Sequence, residues 1–289
     1  MTGSILSFSA MAVAGRAVSP VLDTFELMTW RSIIGFFLVV GVGAIMGKLG
    51  EIRATHLGEN FVRNIFHFAG QNLWFWSLTV IPLAQVFALE FTSPLWVILM
   101  SPLLLGERIT KVRAASALVG FLGILIVARP DITHLDLGVA AAAASAIGFA
   151  GSAVFTKRLT RYEKVISILF WLTVMQAAFG AIGSGIDRDV ALPTWNIFPW
   201  LVVLGIAGVM AHLCLTMALT LAPATVVIPM DFVRLPAIAI VGMLLYGEQL
   251  DPFIFLGALV IFAANWMNIR SERRESLASQ RHETLTLGQ

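Results

Sequence analysis

Long apolar stretches alternate along the chain with short polar connections. Ten stretches stand out, at residues 2–18, 25–46, 61–80, 83–105, 111–129, 136–156, 164–184, 197–220, 224–246 and 251–270. A helix needs about 20 apolar residues, within a range of about 17–25, to cross the hydrocarbon core of a bilayer. The connections are rich in turn formers and charge, as in Arg129-Pro130-Asp131 and Asp187-Arg188-Asp189. The pattern predicts an all-α integral membrane protein of ten transmembrane helices. Ile5 to Ala14 resembles the apolar core of a signal peptide and Ala12-Val13-Ala14 a cleavage site, but no Lys or Arg precedes them. A signal needs such a positive region, so this stretch is expected to be the first membrane helix. The polar residues 271–289 are expected to form a disordered tail.

The pattern also repeats. Leu78, Thr79, Pro82, Val86, Phe91, Leu103, Leu104, Gly106 and Glu107 recur 141 residues later, without a gap, as Leu219, Thr220, Pro223, Val227, Phe232, Leu244, Leu245, Gly247 and Glu248. Glu90 falls on Asp231, and Arg16 on Lys157. Each copy holds five stretches, residues 1–129 and 136–270. Charge sets their orientation, because Lys and Arg collect on the cytoplasmic side. With the N-terminus inside, fourteen Lys and Arg residues lie on inner connections or the tail, Arg63 among them. Only Arg16, Arg129 and Arg188 lie outside, and Arg31 and Arg234 fall within helices. Both termini are therefore expected in the cytoplasm. An odd number of helices per copy starts the second copy on the opposite face, so the two five-helix repeats are expected to be inverted, an arrangement that transporters use to build one site with two exits.

Composition agrees. The chain is 58% hydrophobic and 12% charged, with mean hydropathy +0.87, where a soluble domain carries about 25% charged residues. The charges cluster at segment ends, which argues against a nucleic-acid surface. One cysteine, Cys214, excludes an internal disulfide and a cysteine-based metal site. No H-E-x-x-H, G-x-S-x-G or glycine-rich phosphate loop is present, which argues against an intramembrane enzyme and an ATP-driven pump. A channel is disfavoured because no filter-like loop is evident.

Several residues carry a resemblance: the Gly106-Glu107 and Gly247-Glu248 pairs, the starts at Pro82 and Pro223, the run Phe25-Glu26-Leu27-Met28-Thr29-Trp30-Arg31, and the run from Phe87 to Pro94. On these the chain resembles the drug/metabolite transporter superfamily, and within it the EamA family, over residues 1–270. The resemblance implies a secondary transporter of small metabolites and leaves the cargo open. Riboflavin, S-adenosylmethionine and amino acids are all cargoes of such proteins.

Ionisable groups deep in membrane helices are expensive and mark cavities or partners. Arg31, His67, Glu90, His212, Asp231 and Arg234 are such groups. Arg31 and Glu90 lie at similar depth and are expected to pair or to face the same cavity. Asp231 and Arg234, three residues apart, can pair on one helix face. Gln71 and Asn72 supply amides, and Trp74 or Trp76 an indole that can stack on a ring. The two tryptophans cannot share a face. The cavity walls are expected from segments 3, 4, 8 and 9. Pro94, Pro102, Pro229 and Pro236 are expected to interrupt segments 4 and 9 and act as hinges. The glutamate after each Gly is expected to cap the following helix or close a gate. Small residues in segments 5 and 6 offer a dimer face, so a monomer and a homodimer both remain open. The expected function is alternating-access transport of a small polar metabolite across a bacterial inner membrane. The cargo leans to a ring-bearing compound such as riboflavin, protons are a candidate coupling ion, and no cofactor or nucleic-acid partner is expected.

Overall fold

All regular structure among the described residues is helical. The computed structural model describes residues 1–106, 110–129, 137–187, 191–249 and parts of 252–271. Glu107, Arg108, Pro130, Asp131, Arg188, Asp189 and the tail beyond 271 lie outside the described residues. The helices are α1 (Thr2–Val18), α2 (Thr24–Ile45), α3 (Leu57–Val80), α4 (Leu83–Glu90), α5 (Ser93–Leu104), α6 (Lys111–Ala128), α7 (Leu137–Leu159), α8 (Val165–Asp187), α9 (Phe198–Leu221), α10 (Ala224–Val227) and α11 (Arg234–Tyr246). Helical residues recur within 252–271. Among the described residues, five stretches are long and apolar enough to cross a membrane: Thr24–Ile45, Leu83–Leu104, Leu137–Leu159, Val165–Ile186 and Phe198–Leu221. Their outer faces are apolar too. Phe37 is 68% exposed, Leu103 87% and Leu221 86%, which water would not tolerate over so many helices but lipid does.

Local chemistry sets the helix ends. Asp23 and Glu26 form a reciprocal capping box at the start of α2, with Glu26 N donating to Asp23 Oδ1 at 2.8 Å and Asp23 N to Glu26 Oε2 at 3.1 Å. Thr110 Oγ1 accepts from Arg113 N at 3.2 Å and opens α6. Gly106 and Gly247 follow α5 and α11 with φ of +68° and +66°, the left-handed exit that favours glycine.

The fourth and ninth sequence segments are each broken. The fourth divides into α4 and α5 at residues 91–92, and the ninth passes through a 3₁₀ stretch, Ile228–Val233, between α10 and α11. Proline position explains this differently from the sequence expectation. Pro94 sits at the start of α5, and Pro236 is the third residue of α11. First-turn N–H groups have no intrahelical partner, so neither proline removes a helix bond, and the breaks lie just before them. Pro102 is inside α5. The Pro229 side chain is outside the described residues, although its backbone belongs to the 3₁₀ stretch.

The most extensive helix contacts are α3 with α7, α2 with α8 and α1 with α9; α4 also packs on α11. A shift of 141 residues carries α1 onto α7 and α3 onto α9, so the first and third of these pairings exchange. It carries α2 onto α8, so the second maps onto itself. The α3–α7 crossing is the tightest. A Cβ added at Gly148 would lie 2.7 Å from both the Phe66 carbonyl oxygen and the Gly70 Cα, so only glycine lets the two backbones touch. The core lies among these helices, with Met11, Trp74, Phe75, Phe87, Leu204 and Leu235 almost fully buried.

Candidate functional site

One stripe of α3 explains where the polar groups meet. Asn60, Arg63, Asn64, His67, Gln71 and Trp74 are spaced by three or four residues and all are buried. Such spacing puts side chains on one helix face. The central part of this stripe opens onto a cavity of about 80 Å³ lined by α1, α3, α4, α5, α7, α9, the 3₁₀ stretch and α11. α1 and α7 thus join the walls expected from the sequence, through Phe8, Met11, Phe149, Ser152 and Thr156.

Five pairs of lining residues stand 141 positions apart: Phe8 and Phe149, Met11 and Ser152, Gln71 and His212, Trp74 and Leu215, Ser93 and Arg234. Both copies therefore contribute equivalent positions to one chamber. The aromatic pair is kept, while the polar pairs differ.

Arg234 is the electrostatic centre. Its side chain is 1% exposed and its Nη2 donates to Glu90 Oε1 at 2.7 Å and lies 2.6 Å from Asp231 Oδ2. Its guanidinium also lies 4.6 Å from the centroid of Phe87 and 5.0 Å from that of Phe8, a cation–π enclosure. Trp74 Nε1 donates to the other Glu90 oxygen at 2.7 Å, and Ser93 Oγ donates to the Glu90 carbonyl. Glu90 is thereby fixed from α3, α5 and α11 together. His67 and His212 meet edge to face with ring centroids 4.6 Å apart.

Many buried polar atoms here have no partner within the described protein: both ring nitrogens of His67, Gln71 Oε1, His212 Nε2, Arg63 Nη1, and Arg234 Nε and Nη1. Buried polar groups are ordinarily hydrogen-bonded, so these residues hold unused hydrogen-bonding capacity along the chamber wall.

Of the residues singled out in the sequence, His67, Gln71, Trp74, Glu90, His212 and Arg234 line the chamber, and Asp231 adjoins it through Arg234. The expected Asp231–Arg234 contact is present. The expected Arg31–Glu90 pair is not. Packing of α4 on α11 gives Glu90 to Arg234, whereas Arg31 Nη1 lies 3.5 Å from Met11 Sδ. Arg31 occupies a smaller neighbouring chamber with Ser32, Thr173 and His212, so His212 faces both. Asn72 donates to the Phe68 carbonyl at 2.8 Å and does not line the chamber. Trp76 is 39% exposed on the outside of the bundle. The two tryptophans lie on different faces, and Trp74 is the one that lines the chamber.

Glu248 also departs from expectation. It accepts from the Leu83 backbone N–H at 3.2 Å, at the start of α4, and pairs with Arg16 at 2.5 Å. It thus caps α4, a helix 165 residues away in sequence. Its counterpart Glu107 lies outside the described residues. The residue missed altogether is Arg63, counted as a topology charge at a helix end. Its spacing from His67 and Gln71 was the available signal.

Comparison with known proteins places this chamber in context. The model of the EamA-like transporter family matches residues 1–129 and 136–270. A riboflavin transporter of Brucella anthropi is 30% identical over 84% of this chain and 87% of its own. An S-adenosylmethionine uptake transporter of Rickettsia felis is 24% identical over 97% of this chain and 94% of its own. One solved crystal structure shares the fold, with a TM-score of 0.75 at 18% identity, covering 94% of this chain and 96% of that one.

Proposed function

The chain belongs to the EamA-like transporter family, and from that footing we propose that it is a secondary carrier of a ring-bearing polar metabolite, with riboflavin the leading cargo. The observation that carries this reading is the chamber walled by residue pairs 141 positions apart. A site built from equivalent parts of two repeats can be opened by either one. In this reading ten helices form two inverted five-helix repeats, with both termini in the cytoplasm and the protein in an inner membrane. The breaks at residues 91–92 and 228–233 are the joints, because α5 and α11 can tilt there without losing helix bonds. Pro94 and Pro236 stiffen the start of each moving arm, and Pro102 and Pro229 sit within the segments that bend.

The cargo lean combines walls and relatives. Trp74, Phe8 and Phe149 give flat apolar surfaces, and Gln71, His67, His212 and Arg63 give hydrogen-bonding edges. A flat heteroaromatic ring with polar edges fits that division. Glu90 and Asp231 are the candidate proton carriers, since they are the carboxylates that hold Arg234.

The test is a thermal-shift screen of the purified protein against metabolites, then uptake of labelled riboflavin into proteoliposomes with and without a pH gradient. Saturable uptake absent from protein-free liposomes supports the reading, and a gradient-dependent rate assigns proton coupling. Stabilisation by no ring-bearing compound, with no riboflavin uptake, refutes it.

A further inference from the structure

Arg63 and Arg31 are buried, and neither has an acidic partner among the described residues. Arg63 is 1% exposed and Arg31 5%. Arg63 Nε donates to Thr156 Oγ1 at 3.0 Å, and its Nη1 is buried with no partner. Arg31 touches the Met11 thioether, a weak acceptor. The acidic groups nearest in sequence to Arg63 or packed at its end of α3 make their hydrogen bonds and ion pairs with other residues, although Glu59 Oε2 and Glu163 Oε1 are buried without a hydrogen bond. Glu59 pairs with Arg158 at 3.0 Å, and Glu163 accepts from Ser167 at 2.9 Å and faces His56 at 3.5 Å. Arg234 already balances two carboxylates. Among the described residues that line or adjoin the two chambers, three guanidiniums thus stand against two carboxylates, an excess of one positive charge. Protonation of His67 or His212 would only increase it.

We propose that Arg63 is the specificity filter of the chamber: it admits neutral or anionic ring compounds that present paired acceptor atoms and turns away cationic ones. The proposal rests on the carrier reading above. An uncompensated charge in a membrane interior is costly and persists where it serves a function. Arg63 lies one turn from His67 and two from Gln71 on the cavity face of α3. A guanidinium presents a planar fork of donors, suited to a ring edge of the carbonyl–nitrogen–carbonyl kind. The same fork repels a sulfonium centre across a cavity where charge is poorly screened. Arg31, behind Met11 and His212, adds to the positive field without touching the cargo.

S-adenosylmethionine and its thioether analogue S-adenosylhomocysteine test this directly, because they differ by one methyl group and one positive charge. Their affinities are measured by competition binding on the full chain in lipid nanodiscs. Wild type should hold the thioether roughly 10- to 100-fold more tightly, the scale of one unit-charge interaction across the chamber at a protein's effective dielectric. Arg63→Lys should keep the preference. Arg63→Gln should shrink it by about tenfold or more. Thr156→Asp sets a carboxylate against Arg63 without removing it and should shrink the preference likewise, so the idea remains testable should Arg63→Gln fold poorly. Equal binding by wild type, or an unchanged ratio in both neutralising variants, overturns the filter. Riboflavin counterflow, measured separately, reports on the carrier reading, so the two can fail independently.

Discussion

Removing either member of the Arg234–Glu90 pair should be unequal in cost, and the inequality can be worked from the contacts. Arg234→Met strips the ion-pair partner shared by Glu90 and Asp231 and leaves two buried carboxylates near one another. Breaking a buried pair from one side costs about 3–5 kcal/mol. Glu90→Gln is milder, because Arg234 keeps Asp231 at 2.6 Å and the glutamine carbonyl can still accept from Trp74 Nε1. Loss of one charge-assisted bond costs about 1.5–3 kcal/mol, the low end applying where a second carboxylate remains. The double variant should lose less than the two singles together, by about 1.5–3 kcal/mol of coupling. The assay is equilibrium unfolding by SDS in mixed micelles, followed by tryptophan fluorescence, for which Trp74 is a reporter beside Glu90. Losses that add to within about 0.5 kcal/mol would refute the pairing. A charge swap between Arg31 and Glu90 should give no rescue.

Other perturbations separate structural contacts from the chamber. Gly148→Val should abolish folded protein, because its Cβ would meet the α3 backbone, while Gly41→Ala, where nothing lies within 4 Å, should stabilise by about 0.5–1 kcal/mol; detergent size-exclusion profiles distinguish them. Trp74→Phe removes the 2.7 Å bond to Glu90 and shrinks an aromatic wall of the chamber, and should weaken cargo binding by up to about tenfold, the scale of an aromatic contact of about 0.5–1.5 kcal/mol, whereas Trp76→Phe on the outer surface should leave affinity unchanged; equal effects in binding assays would contradict the placement. Glu248→Gln breaks the tie between α1, α4 and α11 at a stability cost of about 1 kcal/mol or less. It should raise thiol labelling of Phe8→Cys, in a Cys214→Ser background, by a membrane-impermeant reagent, and unchanged labelling would show that this tie does not hold the bundle closed.

Helix positions were legible because membrane length and charge asymmetry are written locally. The span 165–187 begins one residue after the apolar run at 164–184 and ends three residues beyond it, and the Asp231–Arg234 contact follows from its spacing alone. Contacts between distant segments were not legible. Glu90 and Arg234 are 144 residues apart, and nothing in either stretch says that α4 packs on α11 rather than on α2. The phase of α3 was available but unused. Positions 63, 67, 71 and 74 share a face, which removes Asn72 and Trp76 and brings in Arg63. Arg63 was hidden by its place near a helix end, where a basic residue ordinarily marks topology. The two breaks were foreseen from proline content, but their exact seats depend on which backbone N–H groups are already free.

Counterflow tests the central claim most directly. Proteoliposomes holding the purified protein are loaded with unlabelled riboflavin and diluted into a trace of labelled riboflavin. A carrier whose single chamber opens alternately to each side predicts transient accumulation of label above equilibrium, faster than in unloaded vesicles. Label that only equilibrates, at a rate indifferent to the internal load, would contradict alternating access by this protein.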